Sequence, residues 1–157
     1  MLFRSSTPTP KGSISGRLWK DTNNDGLENN GELVFDSVKI ELFASDASGM
    51  PTGAALQTVT TTGTGLYSFT NLPKGDYVVK IDKTTIMTSM ELGTKKDVGT
   101  DDTIDNDFDA ALGLSGKIVL DPTNPATKDF TNVNGAIINS ATPCPTKICS
   151  PVKVTKL

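Results

Sequence analysis

The sequence predicts an all-β domain built as a sandwich, and three observations predict it. Apolar residues recur at a period of two in short runs, turn signals separate those runs at regular spacing, and no ten-residue apolar stripe at helical spacing occurs. A sandwich suits such short, evenly spaced strands better than a barrel. At 157 residues the chain is long enough for one domain that buries about two-thirds of its unfolded surface.

The elements follow in order. Residues 1–11 include Thr7-Pro8-Thr9-Pro10 and read as a Thr/Pro-rich linker or arm, residues 12–140 as the sandwich, and residues 141–157 as a Cys-containing tail. The run 12–20 alternates Ile14, Gly16 and Leu18 against polar neighbours, as a half-buried strand does. In 37–43, Val38, Ile40 and Leu42 point inward; a turn-rich stretch, 45–53, follows. Residues 56–62 and 66–70 flank Gly63-Thr64-Gly65, and with Tyr67 and Phe69 on one face they are expected to form a hairpin. After a second turn at 71–75, residues 76–81 set Tyr77, Val79 and Ile81 toward the core. Periodicity fades from 82 to 116, where a short helical turn is expected near 84–90. Strands at 117–120 and 130–138, the latter with Val133, Gly135 and Ile137 alternating, complete the set.

One segment carries strong chemistry. Residues 21–32 place Asp21, Asn23 and Asp25 at positions one, three and five of a twelve-residue calcium loop. Gly26 sits at the sharp turn, Leu27 offers its carbonyl at seven, and Glu32 closes the set at twelve. A metal-free polar turn is the competing reading, although a turn needs no Glu six residues after its Gly. Position eight is Glu28, where helix-flanked loops of this type carry an apolar residue, and the preceding run is a strand. The expectation is therefore a solitary loop on a β scaffold, acting as a structural clamp and not as a sensor. Between Asp97 and Asp109 lie Asp101, Asp102, Asp105 and Asp107, with no Lys or Arg in the run. Such a block repels itself without a cation, and it reads either as further calcium ligands, Asp105 and Asp107 before Asp101 and Asp102, or as a solvated loop.

Composition narrows the partners. A net charge of -3 without clustered Lys and Arg argues against nucleic acid. No apolar run is long enough to insert across a bilayer, and residues 1–6 lack the apolar stretch of a secretory signal, so the chain reads as processed or as a piece of a longer one. Loops of this kind fill where free calcium is near millimolar, which favours an extracellular setting. Cys144 and Cys149 suit an intrachain disulfide there, with free thiols or an interchain link as alternatives. Trp19 reads as a packing anchor before a sugar-stacking platform. An intramolecular amide between Lys39 and Asn134 is disfavoured, because Lys39 falls on the outward face of its strand. Without His, the usual nucleophile and base pairs are missing, so no enzyme is expected.

The ordered set 16–26, 38–42, 65–69 and 72–79, together with the acidic block 101–109, resembles the calcium-binding B domain of serine-aspartate repeat surface adhesins, a relative of the collagen-adhesin B-type domains. The resemblance implies a seven-stranded, immunoglobulin-like (Greek-key) sandwich on a bacterial surface or secreted protein, several bound calcium ions, and a role as stalk or spacer. The first loop transfers residue by residue as Asp21, Asn23, Asp25, Leu27 and Glu32. The partners implied are neighbouring domains or subunits of the same surface assembly. Two other readings stand beside the spacer: an adhesin or carbohydrate-binding module with a glycan or host-protein ligand, and a filament subunit that adds a terminal arm to a neighbour's sheet edge.

Overall fold

The computed structural model describes residues 6–140, and Cys144 and Cys149 lie outside them. The described residues form nine strands in two sheets and no α-helix. These are β1 (Gly12–Lys20), β2 (Lys39–Ser45), β3 (Pro51–Thr60), β4 (Leu66–Leu72), β5 (Gly75–Ile81), β6 (Met90–Leu92), β7 (Ile118–Leu120), β8 (Asp129–Phe130) and β9 (Gly135–Asn139). One sheet runs β4-β1-β9-β6 with β8 beside β1; the other runs β3-β2-β5-β7. The all-β sandwich is therefore as expected, with nine strands in place of seven.

The alternation read from β1, β2 and β5 builds the core. Ile14, Leu18, Val38, Ile40, Leu42, Val79 and Ile81 pack with Tyr67 and Phe69 between the sheets. The two rings of β4 meet edge to face, with centroids 5.8 Å apart. Phe108 enters the same core, fully buried, from the polar stretch that showed no periodicity.

Three expectations change. β3 and β4 do not form a hairpin, because β3 pairs with β2 and β4 with β1 in the other sheet. Thr61 anchors the crossing: its hydroxyl accepts the Val38 amide at 3.0 Å, and its own amide donates to the Val38 carbonyl at 2.9 Å. Gly65 then turns the chain at φ 71°, where a Cβ would lie 2.4 Å from the Leu18 carbonyl oxygen. β3 also begins at Pro51, inside the stretch expected to be all turn, and ends at Thr60. Finally, the strand expected over 130–138 is divided into β8 and β9. Between them the Asn134 side chain accepts the Arg17 amide and donates to the Thr103 carbonyl, both at 3.0 Å, which draws the chain out of a regular ladder. The helical turn appears as one 3₁₀ turn, Lys83–Thr85.

β1 organises the end of the sandwich where the acidic loops sit. It pairs with β4 up to Arg17, and with β9 in parallel from Leu18 to Lys20. The chain returning from the first loop takes the place of β4 there: Lys20 donates to the Leu33 carbonyl at 2.7 Å, and Phe35 donates to the Leu18 carbonyl at 2.8 Å. Leu18 faces the core, so Trp19 faces the opposite side of the sheet, where it pairs in register with Ala136 and bridges Val34. Trp19 is fully buried, which removes the sugar-stacking reading. Lys39 reaches Asp82 at 2.7 Å and Glu41 at 3.4 Å, so its amine is engaged far along the chain from the Asn134 amide.

Truncating Phe69→Ala should lower stability by about 3–5 kcal/mol, measured by urea denaturation, because a fully buried ring leaves a cavity between two sheets that cannot collapse onto it. A second expectation concerns acid. The hydrogen bond from Lys39, with those from Thr84, holds the Asp82 carboxyl at about 2. Its folded value lies below the unfolded one, so this stabilisation is complete above roughly pH 4 and disappears as pH falls toward 2. Asp82→Asn should flatten that part of the stability-against-pH curve.

Candidate metal centre

The first loop leaves β1 at Lys20 and is pinned at once, because the Asp21 amide donates to the Ile137 carbonyl of β9 at 2.9 Å. Asp21 is only 2% exposed, and its carboxylate turns inward: Oδ1 accepts the Asp25 amide at 3.2 Å and Oδ2 the Gly26 amide at 2.8 Å. Asn23 accepts the Asp25 amide at 3.1 Å, and Asp25 accepts the Leu27 amide at 2.9 Å. Slight desolvation works against ionisation of Asp25, yet the Leu27 amide and the Asn29 and Asn23 side chains together hold its carboxyl below the ordinary value. The short oxygen side chains thus coil the backbone around themselves. Glu32 folds back across the loop, accepting the Thr22 amide at 2.7 Å and the Asn29 amide at 2.9 Å. Glu28, the departure at position eight, forms an ion pair with Arg17 of β1.

The acidic block lies against this loop. Leu27 and Asp105 form an antiparallel bridge, the Glu28 amide donates to the Ile104 carbonyl at 2.7 Å, and the Asn106 amide donates to the Gly26 carbonyl at 3.1 Å. Gly26 permits the approach: at φ 81° a Cβ there would stand 2.8 Å from the Lys95 Cβ.

Within the block the structure gathers Asp102, Asp105 and Asp107, with one carboxylate oxygen from each within 4.8 Å of the others. Burial pushes the Asp107 carboxyl up to about 7; the Asp105 and Asp102 charges add to this, and the Asn134 amide, donating at 2.6 Å, opposes it. Desolvation, then the Asp102 charge, also raises Asp105. Asp105 is 6% exposed, and its Oδ1 is buried without a hydrogen-bond partner. Three clustered carboxylates with one orphaned buried oxygen fit a hard divalent cation, which takes oxygen ligands and supplies the missing positive charge. Asp101 stands apart: it caps its own turn through the Thr103 hydroxyl and amide, which lower its carboxyl below the ordinary value.

Sequence reasoning missed Asn106 as an organiser. Buried to 1% exposure, it donates to the Lys95 and Phe108 carbonyls at 2.8 and 3.1 Å and accepts the Phe108 and Ala136 amides, both at 3.2 Å. One Asn among six Asp residues gives little signal of such a role; its place two residues before Phe108, the one aromatic in the block, is the clue the sequence contained.

Comparison with known proteins identifies the family. The family model described as SdrD B-like domain matches residues 12–135. A fibrinogen-binding protein of Staphylococcus epidermidis is 37% identical over 99 residues, 63% of this chain and 8% of that protein. Serine-aspartate repeat-containing protein D of Staphylococcus aureus (strain Newman) is 28% identical over 148 residues, 83% of this chain and 11% of that protein. The chain thus spans about a tenth of the length of these relatives. The full-length major pilin SpaD from Corynebacterium diphtheriae overlays with a TM-score of 0.48 at 15% identity, over 87% of this chain and 34% of that one, too loosely for an inference to rest on it. The kinship makes this a structural, non-enzymatic module of a cell-surface or extracellular protein. The chain belongs to the SdrD B-like domain family.

Proposed function

We propose that this chain is a calcium-stiffened spacer, in which metal binding locks the two acidic loops at one end of the sandwich. The observation that carries this reading is the buried, unpartnered Asp105 Oδ1 inside the cluster of Asp102, Asp105 and Asp107. Those three residues would hold one ion, and Asp21, Asn23, Asp25, the Leu27 carbonyl and Glu32 would hold another. Calcium supplies charge that offsets the repulsion among carboxylates. At free calcium about a hundredfold above the dissociation constant, one site adds about 2.7 kcal/mol, a large share of a small domain's total stability.

Strand geometry supports the spacer role. β9 runs parallel to β1, with Leu18 opposite Gly135, so Gly12 and Asn139 lie toward opposite ends of the sheet and the chain passes through the module lengthwise. Neighbouring modules of the same surface protein are the partners such a path serves.

Chelation should lower the melting midpoint measured by calorimetry, and elemental analysis should find bound calcium; an unchanged midpoint in metal-free protein overturns the reading. Asp105→Asn gives a change of sign. In chelator the variant should melt at or above wild type, because a repelling charge is gone. In excess calcium it should melt below wild type, because a ligand is gone.

A further inference from the structure

Three places in the sequence set Asn or Asp before Gly: Asp25-Gly26, Asn30-Gly31 and Asn134-Gly135. Such pairs are open to attack by the glycine amide nitrogen on the preceding side-chain carbonyl, since glycine offers no side chain to obstruct it. The fold treats the three differently. The Gly26 amide is occupied, donating to Asp21 at 2.8 Å, and the Asp25 carboxylate accepts the Leu27 amide and the Asn23 and Asn29 side chains. Asn134 is 5% exposed, and its amide group is held at both ends by Arg17 and Thr103. Asn30-Gly31 has none of this protection. Both residues are exposed, neither the Asn30 side chain nor the Gly31 amide makes a hydrogen bond among the described residues, and a Cβ at Gly31 would meet nothing within 4 Å. Their turn is closed only from its ends, by the Glu32 amide donating to the Asn29 carbonyl at 3.2 Å and the Asn29 amide donating to the Glu32 carboxylate at 2.9 Å.

We propose that Asn30 is a site of spontaneous deamidation in the folded protein. The Gly31 nitrogen, giving up its proton to solvent base, bonds to Cγ of Asn30; the Cγ–Nδ2 bond breaks, and the side-chain nitrogen takes up a proton and leaves as ammonia. The resulting five-membered imide is opened by water at either carbonyl, giving aspartate or isoaspartate at position 30. No oxidant or reductant takes part. Either product adds a negative charge to a loop that already holds Asp21, Asp25, Glu28 and Glu32. Isoaspartate also lengthens the main chain by one methylene just ahead of Glu32, whose carboxylate ties Thr22 to Asn29. The loop would carry a chemical clock that loosens it with age. The covalent step stands whether or not the loop binds calcium.

The test is peptide mapping by mass spectrometry after timed incubation of the whole chain in warm, mildly alkaline buffer, native and in denaturant. In native protein Asn30 should convert roughly tenfold or more faster than Asn134, because Asn134 must first be released by local opening. In denaturant the two sites should convert at similar rates, and Asn30→Gln should abolish conversion at position 30 while leaving Asn134 unchanged. Native conversion at Asn30 no faster than at Asn134 overturns the proposal.

Discussion

Two loops rich in carboxylates are held against each other by main chain, and the rest of this end of the molecule follows from that join. The contacts between Gly26, Leu27 and Glu28 on one side and Ile104, Asp105 and Asn106 on the other are backbone hydrogen bonds and a bridge, which carry no net charge. They leave the side chains to bear the electrostatic cost. Gly26 makes the approach sterically feasible, and Asn106 fixes the far strand of the join to Lys95, Phe108 and β9. Only the Asp107 carboxylate among the three takes a main-chain bond from another segment, the Asn134 amide, so the carboxylates of the cluster are left close together and partly desolvated. That is a destabilising arrangement in isolation and a favourable one around a cation.

The hydrophobic core and the acidic end are coupled through β1. Leu18 packs between the sheets, Trp19 packs on the opposite side, and Asp21 begins the loop two residues on. A strand buried on both faces at its end cannot fray easily, so the loop starts from a fixed point. Phe108 does the same for the second segment: a fully buried ring one residue after Asp107 plants the acidic block in the core. Motion of either loop is thereby confined to the residues between anchors, among them the exposed turn at Asn30-Gly31.

Much of the fold was legible in residue order. Ile14, Leu18, Val38, Ile40, Leu42, Tyr67, Phe69, Val79 and Ile81 all face the core as their alternation requires, because a half-buried strand sorts its side chains by polarity at a period of two. Sheet membership was not legible. A turn such as Gly63-Thr64-Gly65 looks alike whether it joins paired strands or passes between sheets, and the choice was made by Thr61 bonding to Val38, a contact remote in sequence.

By itself, the sequence determined the all-β class, the inward faces of the main strands and the oxygen pattern of 21–32, since these depend on local spacing and side-chain type. It also marked the acidic block as self-repelling. Only the tertiary structure decided which acids meet. It brings Asp102, Asp105 and Asp107 together, sets Asp101 aside on its own turn, and lays the cluster beside the first loop some eighty residues away in the chain. Electrostatic coupling depends on distance through space and on burial, and neither is a property of spacing along the chain.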